Sequence, residues 1–130
     1  MKVLSEKRID FLCSILITAV EGGCLQFAFR NYKIQNKDPE DCISPYVMGS
    51  VEACDIDREY PKDWKLITHI DIDNALEKFK EEDAAEKLKL HPSYVQQIVG
   101  ADAILDGGYI YGKLADIIFQ VAINGEVIFG

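Results

Sequence analysis

The sequence predicts an α+β domain. It would have an N-terminal helix, an antiparallel β-hairpin or small sheet, two to three further helices, and a short extended C-terminus. Three observations predict this. Apolar residues near the start recur with a helical period. Residues 46–54 and 64–70 carry strand character on either side of a charged connection. Beyond residue 73, helical patterning returns between strong cap and stop signals. The chain has 130 residues, which fits one domain, 1–130. Hydrophobic residues make up 48% of it and charged residues 28%, enough for a folded core with an ordinary charged surface.

Residues 5–21 read as an amphipathic helix. Ser5 can cap it, and Glu6 suits its positive end. Ile9, Leu12, Leu16, Ala19 and Val20 form one apolar face. Phe11 to Val20 reads FLCSILITAV, like a signal-peptide core. Glu6 and Asp10 precede it, however, and Glu21-Gly22-Gly23-Cys24 is a poor cleavage site. Ten apolar residues are also too few to span a bilayer. A helix is therefore expected there. Gly22-Gly23 marks a kink, an end, or a close approach of another backbone. Leu25 to Arg30 can continue the helix after it.

Residues 31–45 are polar and hold Pro39 and Pro45, so a long loop is expected. Tyr46 to Cys54 (YVMGSVEAC) and Trp64 to Ile70 (WKLITHI) are the two strands, joined by Ile56 to Asp63. Asp71 or Asp73 would cap a second helix from about Asn74 to Leu90, ended by His91-Pro92. Ser93 to Gln96 reads as a capping box for a third helix, with Val95, Ile98, Val99 and Ile104 buried. Asp106-Gly107-Gly108 stops it. Leu114 to Asn124 is either a fourth helix or a buried strand, and Asn124-Gly125 either a helix cap or a hairpin turn. Glu126 to Gly130 is short and extended.

The 22 acidic and 14 basic residues give a net charge of −8. Such a chain is repelled by duplex nucleic acid and by anionic membranes, so neither is an expected partner. Cys13, Cys24, Cys42 and Cys54 form no C-x-x-C pair. Irregular spacing in a core-rich chain points to reduced thiols in a cytoplasmic protein.

No catalytic motif stands out, and no cofactor is expected. On an extended backbone His69, Asp71 and Asp73 would face one way and could hold a transition metal, though the plainer and better reading is a strand end at His69 and helix caps at the two aspartates. His91 beside Pro92 reads as a helix terminator. Phe27 to Lys37 (FAFRNYKIQNK) has Arg30, Lys33 and Lys37 and no acid, interleaved with Phe27, Phe29 and Tyr32. Aromatic faces can stack on bases while cations hold phosphates. The plainer reading puts the aromatics in the core and the cations in water. Tyr109 and Tyr111 could form an exposed aromatic ledge or pack across a turn. Asp116 and Gln120, four apart, would share one helix face; a solvent-facing strip is the plainer reading.

Two segments resemble something known. Ala19-Val20-Glu21-Gly22-Gly23 resembles the AVEGG element of a set of small proteins encoded by bacteriophages and prophages. Ala115-Asp116-Ile117-Ile118-Phe119-Gln120, followed by Gly125-Glu126-Val127-Ile128-Phe129-Gly130, resembles their A-D-x-I-x-Q and G-E-V-x-Y-G ending. The sequence departs at Gln26-Phe27, where that family often has Tyr-Trp, and at Phe129, where Tyr is usual. The resemblance implies a viral accessory role that counters host defence, and it adds Glu21 to the candidate residues. The expectation is a non-catalytic binding protein, a homo-oligomer that sequesters a small nucleotide signal. Its ligand set would be Glu21, Phe27, Arg30, Tyr32, Lys33, Tyr109, Tyr111, Asp116 and Gln120. The alternatives are an acidic inhibitor that blocks the basic channel of a host defence nuclease, like an anti-CRISPR protein, and a small metal-dependent enzyme.

Overall fold

The computed structural model describes residues 4–23, 27–36, 46–55 and 64–127. Helix α1, Glu6–Thr18, is capped by Ser5, whose Oγ accepts the Arg8 N–H at 3.1 Å. It buries Phe11, Leu12, Cys13, Ile15 and Leu16. The helix then widens into a π-turn, Ala19–Gly23.

Two expectations fail just after it. Residues 27–30, the described part of the expected helical continuation, are not helix, and residues 31–36 are not loop. Phe27–Asn36 is strand β1, antiparallel to β2, Tyr46–Asp55. Phe27 and Phe29 alternate with Ala28 and Arg30, so the aromatics reach the core only from an extended backbone. Register shifts between Arg30 and Lys33, where Asn31 takes a left-handed φ of 51°. The rest of the expected loop, 37–45, and the connection 56–63 lie outside the described residues.

Strand β3, Lys65–Thr68, pairs antiparallel with β2, so the sheet order is β1-β2-β3. It is shorter than predicted because a helix claims its end. Helix α2, His69–Phe79, begins with a capping box in which Thr68 and Asp71 satisfy each other's backbone groups. Asp71 is thus the third helical residue, not the cap. The single helix expected up to Leu90 is broken after Phe79 and resumes as the short α3, Ala84–Lys87. Lys80-Glu81-Glu82-Asp83 offers no apolar side chain to hold a continuous helix on the core.

Helix α4, Pro92–Ile104, is capped by His91 rather than Ser93: His91 Nδ1 accepts the Ser93 N–H at 3.1 Å, with Pro92 in the first turn. Of its expected core residues, Ile98 is buried, Val95 and Val99 are half-buried, and Ile104 is exposed. A 3-10 turn follows at Gly107–Tyr109. The last ambiguity resolves as helix: α5, Gly112–Asn124, ends on Gly125 at φ 78°. Every residue from Leu114 to Val121 is buried, so α5 is enclosed on all sides and forms the centre of the molecule. It packs against α2 and the π-turn, while α1 lies on β2. Phe119 of α5 meets Phe27 and Phe29 edge-on, with centroids 5.5 and 5.6 Å apart, which joins sheet to helices. Among the described residues, Cys13 and Cys54 are free and buried, and no helix is long and apolar enough to cross a membrane.

Candidate functional site

The expected metal cluster does not form. His69, Asp71 and Asp73 lie on a helix, not a strand, and helical geometry turns Asp71 away from the other two. Asp71 Oδ2 accepts the Thr68 N–H at 2.8 Å, and Asp73 Oδ1 accepts Arg8 Nη2 at 2.7 Å. His69 is buried, and its Nδ1 has no partner among the described residues. No three His, Cys, Asp or Glu side chains gather at metal-binding distance among the described residues.

Arg30 sits on the outer face of the sheet, about half exposed. Its Nε and Nη2 both donate to Glu52 Oε2, at 3.0 and 2.9 Å, across the β1–β2 pair. Asn31 Nδ2 donates to the other oxygen, Oε1, at 2.6 Å. The left-handed backbone at Asn31 turns its amide toward the same carboxylate. Cζ of Arg30 lies 4.1 Å from the centroid of the Trp64 ring, a close cation–π stack. Nη1 has no partner among the described residues. The result is a guanidinium plane held on its edge by Glu52 and on one face by Trp64.

The partners expected for Arg30 differ from those found. Phe27 is 6% exposed within the Phe29–Phe119 cluster, so it has no face for a ligand. Lys33 lies beyond the register shift, opposite Ser50. The side chains of Tyr32 and Lys33 lie outside the described residues. The ring that stacks on Arg30 is Trp64 instead. Its signal in the sequence was weak: it precedes a strand by one residue, and only the antiparallel pairing places it beside Arg30.

Tyr109 and Tyr111 are exposed, as the ledge reading expects. Tyr109 also borders an open groove of about 330 Å³ against α4, lined by Gln96, Gln97, Gly100, Ala101 and Ile104. Asp116 and Gln120 correct the solvent-strip reading. Both are buried in α5, with Gln120 Nε2 donating to Asp116 Oδ1 at 3.2 Å. A polar pair inside an apolar helix must be satisfied there, and each helps satisfy the other. The π-turn carrying Glu21 packs on α5, so the two segments of the resemblance meet in space. The Glu21 side chain points to solvent, apart from the buried pair.

A second arginine cluster went unforeseen. Arg8 of α1 reaches Asp73 of α2 through Nε and Nη2, at 3.0 and 2.7 Å, and Asp102 of α4 through Nη1. Lys80 Nζ meets the other Asp102 oxygen at 2.7 Å. Burial works against the Arg8 charge, but its bonds to Asp102 and Asp73 outweigh that and hold its pKa above the ordinary value. The bond to Asp102 likewise raises Lys80. Asp102 was visible as a lone acid in the apolar run Ile98 to Leu105, the kind of residue that needs a buried partner.

Comparison with protein-family models, curated proteins and solved structures finds no match to this chain.

Proposed function

We propose that the chain is a phage-type accessory protein that antagonises host defence by non-catalytic binding of a small nucleotide signal, with the base held on the Arg30–Trp64 stack. One observation carries this reading. The Arg30 guanidinium is half exposed, yet Glu52 and Trp64 already fix its plane. A base laid on its open face would meet a preorganised platform, at little further loss of side-chain freedom. Such stacking is worth about 1–3 kcal/mol per base, or one to two decades in affinity. Nη1, unpaired among the described residues, can donate to a base edge or a phosphate oxygen.

Arg30 and Glu52 sum to no net charge, so the platform attracts through stacking more than through charge. A chain of net charge −8 also repels phosphates at long range. Binding should therefore favour ligands with few phosphates and should strengthen when salt screens the repulsion.

Trp64 is the sole tryptophan, so its emission reports directly on the site. Titration with cyclic nucleotides and ADP-ribose derivatives should give a saturable change in emission, absent in Arg30→Ala. An unresponsive Trp64 across that panel would overturn the reading. Stoichiometric co-elution with a purified defence nuclease, in that event, would support the acidic-inhibitor alternative.

A further inference from the structure

Helix α4 has an uncharged outer face. Charged residues make up 28% of the chain, yet only Asp102 is charged between Pro92 and Leu105, and it is buried on Arg8 and Lys80. The exposed side of α4 therefore carries no charge. Gln96, Gly100 and Ile104 follow one another along it at helical spacing. Ile104 is 61% exposed, and Tyr109 beside it is 62% exposed. Gly100 occupies the middle of this face. A Cβ there would meet no atom within 4 Å. Glycine inside a helix is unfavourable relative to alanine, and nothing among the described residues requires it here.

We propose that this face is the contact between two copies of the chain, with α4 packed antiparallel against α4 of the partner copy across Gly100. The occupant follows from charge and from shape. Two copies of net charge −8 repel, so they can meet closely only where the surface is uncharged. A basic partner would gain more from the acidic surfaces elsewhere. A two-fold interface must also be complementary to itself. Here Gly100 lies at the centre of the face, with Gln96 one turn to one side and Ile104 one turn to the other, so a two-fold axis through Gly100 brings each Ile104 onto a Gln96. An antiparallel crossing centred on Gly100 sets Gly100 against Gly100 and Ile104 over Gln96 of the partner copy. The backbones can then approach closely, and the Tyr109 groove is closed from both sides.

The contact is separate from the Arg30–Trp64 stack, so either proposal can fail without the other. Sedimentation equilibrium over the micromolar range tests this one. The wild-type chain should show a monomer–dimer equilibrium that strengthens with added salt, because screening relieves the like-charge repulsion. Gly100→Glu would set two carboxylates against each other and raise the dimer dissociation constant by about a hundredfold or more. Its monomer should melt no lower than wild type, since the new side chain enters open space on a helix it favours. Ile104→Lys, at an exposed position, should weaken the dimer in the same way while keeping the fold. A wild-type chain that stays monomeric throughout would overturn the proposal, as would association weakened by salt or a dimer that survives both substitutions.

Discussion

Arg8 and Arg30 each place a guanidinium between polar partners and an aromatic ring, but in different solvents. Arg8 is 13% exposed, bonded to two carboxylates that are 3% exposed, with Phe11 beneath it. Arg30 is 49% exposed, bonded to Glu52 and stacked on Trp64. At Arg8 both ion pairs join elements of the core: α1 to α2 and α4. At Arg30 the ion pair joins two neighbouring strands and the stack reaches Trp64 beside the third, while half of the side chain stays exposed and, among the described residues, Nη1 has no partner. The same residue type is a buried clamp where water is excluded and a half-exposed surface contact where it is not. Burial, rather than the number of bonds, separates the two roles.

The largest test of that distinction is Arg8→Ala. It removes the cation from between Asp73 and Asp102 and leaves buried carboxylates short of a partner. Breaking one side of such a pair costs about 3–5 kcal/mol. Urea unfolding should show a loss of that order with an unchanged slope. A loss under about 1 kcal/mol would mean that the cluster behaves like a surface ion pair and that the contrast with Arg30 is false.

Cys13, on the same helix, sharpens the point from the opposite side. Burial, and then the nearby Asp10 charge, push its thiol up from 9.0 to about 11. Arg8 stays charged because it has partners, whereas Cys13 stays neutral because burial and Asp10 both disfavour its thiolate and no cation among the described residues offsets them. The folded state holds the thiol proton more tightly than the unfolded state does. Its contribution is therefore complete below about pH 9 and is lost as pH rises through about 11. A tenfold difference in proton affinity between the two states is worth about 1.4 kcal/mol, so the alkaline loss should approach roughly 2–3 kcal/mol. Cys13→Ala should flatten this limb of the stability–pH curve. An equally steep limb in the variant would place the alkaline transition at another group.

Between the two extremes lies the half-buried capping box of α2. Thr68→Ala removes the acceptor for the Ile70 N–H at 3.2 Å and should cost about 1 kcal/mol by thermal or urea unfolding. No measurable change would show that solvent replaces the cap freely, as at a fully exposed site.

Much of this fold was legible in the sequence, for a physical reason in each case. Ser5 and the 3.6-residue period announced α1, and the Asp106-Gly107-Gly108 stop ended α4 where expected. Strand β1 was missed because its pattern breaks at Asn31, where the bulge lets two residues share one side of the pairing. The Trp64–Ile70 run looked like strand throughout because Thr68, Ile70 and their neighbours are β-formers. The capping box with Asp71 overrode that propensity from Thr68 onward. At the candidate site, Arg30 and its exposure were readable from a basic stretch without acids. Its partners were not, because Glu52 and Trp64 come from other parts of the sheet and only register brings them together. Phe27 was misjudged for the same reason. An aromatic an odd number of residues from a cation points to the opposite face once the backbone is extended.

The smallest stability effect should come from Arg30→Ala, the substitution that also tests the proposed nucleotide site. The pair with Glu52 is half exposed, so its ionic worth is screened and offset by the entropy of holding two long side chains. The stack on Trp64 adds about 0.5–1 kcal/mol at an exposed site. Removing Arg30 should therefore lower stability by no more than about 1 kcal/mol, several-fold less than Arg8→Ala. On the proposed function, the same substitution should abolish the nucleotide-induced change in Trp64 emission, because the face proposed to receive the base is gone. Arg30→Lys separates the two parts of that role. Lysine keeps the charge and can still reach Glu52, but it has no plane to stack on a base. If stacking on the guanidinium is what binds the ligand, Arg30→Lys should behave like Arg30→Ala in the titration and like wild type in unfolding. A lysine variant that binds as tightly as wild type would show that charge alone is read there, and the plane held between Glu52 and Trp64 would then be a feature of the sheet only.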